Sequence, residues 1–224
     1  MANTELDVNR HMALFDPYKF GNKKVHIIGA GATGSWLTLQ LAKLGISNIH
    51  VYDFDVVEMH NVPNQLFGLQ HVGMKKVEAL KEIIQAYTAL EIQAHDEEVS
   101  SKRFDGYVFV MVDSMEARKN IFEQSIKMKT AIDLMVEPRM GLNEARVYNV
   151  LPLDLSHVKA WESNWYPDSE AEVSACGNSQ SVITTALLTA SICARQLINH
   201  FNGEKLHNEI LVDCIYNAIY PTKW

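Results

Sequence analysis

Three glycines and one acid mark the first stretch of this chain that could do chemistry. Gly29, Gly31 and Gly34 stand in the turn GAGATGS, and Asp53 closes the next apolar run. Gly29 permits a tight bend, Gly31 lets a phosphate approach the backbone because it lacks a Cβ, and Gly34 lets a helix lie close to the preceding strand. A helix beginning at such a turn offers unpaired N–H groups and the positive end of its dipole to an anion. A carboxylate at the end of the second strand, here Asp53, can accept from ribose hydroxyls. The set is a nucleotide-binding fingerprint; its structural alternative is a tight turn with no ligand. A second reactive candidate is Cys176, in SACGNSQSV, just before a long apolar stretch. A thiol near a helix N-terminus is acidified and can act as a nucleophile. No base is evident beside it, since the nearest histidine is His157, so a small incidental cysteine is the alternative. Cys193 and Cys214 read as core residues.

Such a turn works only between a strand and a helix, and the flanking sequence supplies both. Residues 25–28 are an apolar run entering the turn, 36–44 carry apolar residues at helical spacing, and 49–52 are a second apolar run. Residues 75–86 read as a helix with Val77, Leu80, Ile83 and Ile84 on one face. Segments 90–94 and 107–112 read as strands, the second closed by Asp113, followed by a helix over 114–125 and a buried strand over 130–136. Residues 143–150 alternate like an antiparallel strand, and the βα alternation stops there. Residues 152–180 lack periodicity and read as a long exposed connection. Its aromatic residues Trp161, Trp165 and Tyr166 either dock a partner's tail or pin the loop to its own domain. Residues 182–201 read as a long helix and 209–220 as a final hairpin, with Asn217 in the turn. The expected fold is α/β: a Rossmann-like doubly wound sheet, parallel in the N-terminal part and extended by antiparallel strands near the C-terminus. One domain is expected over 1–224, divided into an arm (1–24), a nucleotide-binding core (25–150), a crossover (151–181) and a C-terminal helix with strands (182–224).

The composition bounds the function. At 224 residues with 47% hydrophobic content, the chain can bury a sizeable core. A net charge of −7 argues against a general nucleic-acid binder. No apolar run reaches the ~18–20 residues of a membrane span, and no signal peptide is evident. Three cysteines without a CxxC pair suggest a reducing compartment, with the cytoplasm as the default.

The stretch after Asp53 is too long for a routine strand–helix connection, whose usual length is ~2–6 residues. In order it reads Asp53-x-Asp55, Asn61, Gln65, Gly73 and Lys76, then Asp113 and Arg118. This succession resembles the ThiF/HesA/MoeB superfamily, the adenylating proteins that include ubiquitin-activating enzymes, from Arg10 to the last strand. The resemblance implies that ATP occupies the crevice and that the C-terminal carboxylate of a ubiquitin-like protein, sulfur carrier or peptide attacks the α-phosphate. It implies that Asp53 holds the ribose, that Lys76 neutralises phosphate charge, and that Asp113 holds magnesium. It further implies that Asn61 and Gln65 hydrogen-bond near the reacting atoms and that Asp55 orients the loop or the metal. Arg10 matches an arginine that reaches the partner subunit's triphosphate, which implies a homodimer. Cys176 matches a cysteine that, in sulfur-carrier-activating relatives, bonds covalently to the activated carrier, allowing thioester or persulfide chemistry. Each residue has a structural alternative: Lys76 as a helix-surface lysine, Asp113 as the cap of the next helix, Asn61 as a turn residue, Arg10 as a surface charge. Arg118 reads as a residue that orders Asp113 or the sheet edge.

Two departures stand out. Where the family usually has Arg just before the position of Gln65, this chain has Asn64, so one permanent phosphate-clamping charge is absent; Lys75 is the neighbouring cation that could replace it. The paired CxxC motifs that hold zinc in many relatives are missing, so no zinc is expected. The competing readings are a non-catalytic ATP-binding scaffold or sensor of the same fold, and an NAD-dependent oxidoreductase.

Overall fold

The computed structural model describes residues 6–170 and 182–222. Helix α1 (Pro17–Phe20) opens on Pro17, where a missing N–H removes no hydrogen bond, and the Asp16 carboxylate accepts from the Tyr18 and Lys19 amides. Strand β1 (Val25–Ile28) is buried throughout and runs into helix α2 (Ala32–Lys43). Strand β2 (Ile49–Tyr52), helix α3 (Lys76–Thr88), strand β3 (Gln93–His95) and strand β4 (Gly106–Val110) follow. Helix α4 (Met115–Ile121) runs directly into a π-helical turn (Phe122–Ile126), so the helical segment expected over 114–125 is present with its last turn widened. Strands β5 (Ile132–Met140) and β6 (Glu144–Val150), helices α5 (Leu155–Ser163) and α6 (Ile183–Phe201), and the hairpin β7 (Glu209–Asp213) and β8 (Ala218–Thr222) complete the described chain.

The strands form one sheet in the order β3-β2-β1-β4-β5-β6-β7-β8. The first five in this order pair in parallel, and β5 to β8 pair antiparallel. This is the expected doubly wound sheet with its antiparallel extension. Residues Ile27, Phe109 and Val136 pack with Leu37, Leu41, Leu80 and Leu197 of α2, α3 and α6. Their strand neighbours Ile28, Val108, Val110 and Met135 pack with Ile121, Phe122, Val158 and Trp161 on the other face. The alternation along buried strands therefore separates two cores. The strand order reverses between β1 and β4, and a crevice at the carboxyl ends of the strands is the position such sheets use for ligands. No described helix is long and apolar enough to cross a membrane.

The connection expected as exposed loop contains α5. Asp154 caps it, accepting from the Ser156 and His157 amides. It is nine residues long and buries only Val158 and Trp161, so its apolar period is too short to stand out in the sequence. His157 lies on α5 rather than in a loop, its ring held by the Leu151 amide and Asn208. Cys193 is fully buried in α6, whereas Cys214 is half-buried after β7, beside Thr185. Asn217 takes the left-handed turn position expected of it, with φ +53°.

The second face carries a histidine stack across β1 to β3. His26 Nδ1 lies 3.1 Å from the Tyr52 hydroxyl, and His50 Nδ1 lies 3.2 Å from His95 Nε2. Burial, then the neighbouring His50, lowers the His26 pKa to about 4; burial likewise lowers His50 and His95. Because these groups bind protons more weakly folded than unfolded, stability is full above the unfolded value of 6.5 and falls as pH drops towards 4. The His26 contribution alone lowers unfolding free energy by about 2 kcal/mol between pH 7 and pH 5. The stability–pH slope in urea titrations is expected to be shallower in His26→Phe over this window; parallel slopes for the two proteins exclude His26 as the cause.

Candidate functional site

The glycine turn has the geometry its sequence demands. Gly29 has φ +101°, and a Cβ there would lie 2.8 Å from the Met111 carbonyl oxygen. A Cβ on Gly34 would lie 2.0 Å from the Gly29 oxygen, so α2 approaches the turn at a distance that no side chain allows. A Cβ on Gly31 would meet nothing within 4 Å. Gly31 therefore faces open space, and as N-cap of α2 it supplies no side-chain acceptor to the first helical amides. The extension of β4 towards Asp113 passes against this turn: the Met111 amide donates to Ile28 at 2.7 Å.

Asp53 pins two turns together. Its Oδ2 accepts from the Ala30 amide at 2.7 Å and its Oδ1 from the Asp55 amide at 2.9 Å. The long loop after it closes on itself: Val56 bridges Lys75, and the Lys76 amide donates to the Asp55 carbonyl at 3.0 Å. This delivers Lys76 to the start of α3 with its side chain only 9% exposed, where its ammonium meets Asp55 Oδ2 at 2.7 Å. Lys76 is thus not a helix-surface lysine. Lys75 points the other way, to Asp96 at 3.0 Å and to the Phe54 carbonyl at 2.8 Å, and does not replace the charge absent at Asn64.

Two residues of α2 brace the loop. Trp36 Nε1 donates to the Asn64 carbonyl at 3.1 Å, and the Leu66 amide donates to Ser35 Oγ at 3.1 Å. Asn61 is buried, and its Oδ1 accepts from the Glu58 amide at 2.8 Å, so it holds the loop's own turn. Gln65 Oε1 is buried with no hydrogen-bond partner among the described residues. A buried orphan acceptor beside the crevice loop is an unmet polar demand.

Asp113 is exposed at the end of β4 and accepts from the following Ser114 amide. It does not cap α4: Ser114 does, accepting from the Ala117 amide at 3.2 Å. A third acceptor comes from the crossover. The Asp168 carboxylate takes the Ser114 hydroxyl at 2.8 Å and the Met115 amide at 2.5 Å. Partial burial opposes its charge, but the Met115 amide and the Ser114 hydroxyl hold its carboxyl below the usual range. Asp168→Ala is expected to cost about 1 kcal/mol in denaturant titrations, the usual value of a lost helix cap; an unchanged midpoint shows that Ser114 alone suffices.

The aromatic residues of the crossover pin it to its own domain. Trp161 is buried, Trp165 Nε1 donates to the Met115 carbonyl at 2.9 Å, and the Tyr166 ring lies 5.5 Å from the Arg139 guanidinium. Arg118 turns away from Asp113. Its Nη1 donates to Glu137 Oε1 at 2.6 Å and to the Pro138 carbonyl at 2.8 Å, so it orders an interior strand, β5, rather than Asp113 or the sheet edge. Glu137, fully buried, also accepts from Arg139 Nε and from Trp161 Nε1. Burial works against the Arg139 charge, but Glu137 outweighs it and raises the guanidinium further. Glu137, Arg139 and Asp168 were not singled out by sequence, although two charges two residues apart in the apolar run IDLMVEPRM signal a shared buried face.

The structure gathers Gly29, Gly31, Gly34, Asp53, Asp55 and Lys76 at one end of the sheet, with Asn61 and Gln65 on the loop above and Asp113 after the adjacent strand. Arg10 is not among them. It is exposed in a turn at the far end of α2, where His11 contacts the Leu44 carbonyl at 3.2 Å. A helix of this length separates the two ends by ~18 Å. Cys176 lies outside the described residues. Among the described residues no group of three or more His, Cys, Asp or Glu side chains is placed to hold a metal ion.

The ThiF family matches residues 9–212, nearly the whole chain. The chain belongs to the ThiF family. SUMO-activating enzyme subunit 2 of Dictyostelium discoideum is 36% identical over 101 residues, covering 44% of this chain and 15% of that protein. This ThiF-family chain therefore spans a small part of that relative. Among solved structures, PaaA superposes with a TM-score of 0.74 at 21% identity, covering 97% of this chain and 78% of that one. MccB of E. coli, crystallised with ATP, superposes with a TM-score of 0.68 at 17% identity, covering 92% of this chain and 65% of that one. Both likenesses bear on the fold.

Proposed function

We propose that this ThiF-family chain binds ATP in the crevice at Gly31 and adenylates the C-terminal carboxylate of a ubiquitin-like protein or peptide. The observation that carries this reading is the buried Lys76 ammonium, held by Asp55 at 2.7 Å beside a glycine turn that leaves Gly31 open. A dehydrogenase needs the turn and Asp53, but it has no use for a buried lysine at the end of a long loop. In the proposed reaction a substrate carboxylate oxygen bonds to the α-phosphorus, the bond from that phosphorus to the α–β bridging oxygen breaks, and pyrophosphate leaves with the electron pair. Lys76 offsets the charge that accumulates on the phosphates, α2 presents its uncapped amides, Asp53 accepts from the ribose, and Gln65 Oε1 gains a partner. Asp113 is an exposed hard-oxygen donor after the strand next to β1 and would hold magnesium. When bound, that ion would neutralise phosphate charge.

Sequence relatives support the substrate class: SUMO-activating enzyme subunit 2 by its name, and, at 24% identity over 75% of this chain, ubiquitin-like modifier-activating enzyme 5 of Drosophila virilis. MccB of E. coli has also been crystallised with MccA. Arg10, remote from its own crevice, fits a homodimer in which it reaches the site of the other copy. Thioester or persulfide chemistry at Cys176 is a further step of the same proposal, and a cytoplasmic location fits a chain with so few cysteines. ATP–pyrophosphate exchange tests the reading: exchange is expected with a free C-terminal carboxylate and none with the amidated peptide. One observation favours a second reading. Asn64 removes a phosphate-clamping charge and Lys75 is committed elsewhere, so tight ATP binding without exchange for any carboxylate would assign the chain to a non-catalytic nucleotide-binding role. NAD binding tighter than ATP binding would overturn both.

A further inference from the structure

A cleft of about 480 Å³ opens at the amino ends of β4 and β5, the pole opposite the glycine turn. Lys102, Arg103 and Phe104 form one rim; Ser125, Met128 and Lys129 lie on the other. No carboxylate among the described residues lines it, in a chain whose net charge is −7. Lys102 is engaged by Glu97 and lies 4.7 Å over the Tyr52 ring. Among the described residues, the Arg103 and Lys129 side chains have no carboxylate partner, although both are exposed.

The backbone of the second rim is held in a costly shape. The π-helical turn at Phe122–Ile126 closes with the Lys127 amide donating to the Phe122 carbonyl at 2.8 Å. Met128 then adopts φ +57°, a left-handed conformation unusual for a flexible side chain, fixed by its amide donating to the Pro152 carbonyl at 3.1 Å. The result presents Met128, 48% exposed, at the mouth of the cleft. The two rims are tied where the Lys102 amide donates to Ser125 Oγ at 2.9 Å. π-turns and left-handed non-glycine residues both concentrate where strain serves a site.

We propose that this cleft binds a small phosphate monoester with a flat apolar body. The Arg103 fork and the Lys129 point charge, with the hydroxyls of Ser101 and Thr130 also lining the cleft, are the donor types that bind a phosphate dianion. The polarizable Met128 thioether supplies the apolar contact, over a floor closed by Phe104, which is only 4% exposed. The cleft volume falls within the ~300–1,000 Å³ common for small-ligand sites. The site is independent of the nucleotide crevice and of the adenylation reading.

Phenyl phosphate titrated calorimetrically into Gly31→Leu protein tests this, because a side chain at Gly31 projects into the crevice and leaves the cleft untouched. Saturable one-to-one binding is expected, tighter than that of inorganic phosphate, and at least tenfold weaker when Arg103→Gln and Lys129→Gln are added. Each single substitution is expected to weaken it severalfold, which keeps the test valid if the combined variant folds poorly. Met128→Gly is expected to raise the thermal midpoint by relieving the backbone while weakening phenyl phosphate. Absence of binding to Gly31→Leu, or an affinity indifferent to Arg103 and Lys129, overturns the proposal.

Discussion

Lys76→Ala is expected to lower ATP–pyrophosphate exchange by about 10²–10³-fold, the range found when one preorganised charge-stabilising group is removed from an active site. The ammonium is placed before any ligand arrives. The Lys76 amide bonds to the Asp55 carbonyl, and its Nζ meets the Asp55 carboxylate at 2.7 Å, so both ends of the residue are fixed to the same turn. In the proposed reaction, charge that grows on the phosphates would meet a cation that needs no rearrangement. Asp55 is 50% exposed and can be rehydrated when its partner is lost, so the fold is expected to survive with little change in unfolding midpoint. The effect should fall on the exchange rate more than on the ATP dissociation constant, since the uncapped α2 amides and Asp53 remain. Lys76→Arg should not rescue, because a side chain only 9% exposed leaves no room for a guanidinium fork. Exchange within twofold of the parent protein would remove Lys76 from the chemistry.

Much of the site was legible because backbone demands are local. Gly29 and Gly34 stand where a Cβ would strike the Met111 and Gly29 carbonyl oxygens, and only sequence is needed to see that such a turn requires glycine. Apolar periodicity likewise located β1, β2, α3 and α6, whose buried faces are continuous. What was hidden depends on contacts between distant segments. Asp168 lies 54 residues from Ser114, and nothing in either neighbourhood announces that one caps the other. The α5 helix escaped because it buries two residues three apart, too few to set a period. Arg118 was assigned either to Asp113, nearby in sequence, or to the sheet edge; Glu137, on the adjacent strand, takes it. The loop after Asp53 stood out by its length, but its bracing by Ser35 and Trp36 is a property of the fold.

Glu137→Ala is expected to destabilise the protein by roughly 3–5 kcal/mol, the usual cost of removing one partner from a buried charge group. Glu137 is fully buried and is the only carboxylate seen to pair with Arg118 and Arg139 among the described residues, at 2.6 and 2.9 Å. Without it two guanidinium groups, both under 10% exposed, face each other in a medium that solvates them poorly. Among the described residues Arg118 Nε already lacks a partner and has no reserve acceptor on that side. Trp161 Nε1 would also lose its acceptor at 2.6 Å, which makes tryptophan fluorescence a local reporter of the change. The loss should propagate to the crossover, because Arg139 Nη1 holds the Asn164 carbonyl at 2.6 Å, just before the segment that carries Trp165 and Asp168 to α4. Replacing all three charges together, as Glu137→Leu, Arg118→Met and Arg139→Leu, should cost less than Glu137→Ala alone, since no unpaired charge then remains inside. Urea titrations of the single and triple variants separate the two terms: a triple variant weaker than the single one would mean that the ion network itself, rather than the avoidance of an unpaired charge, holds the crossover against the sheet.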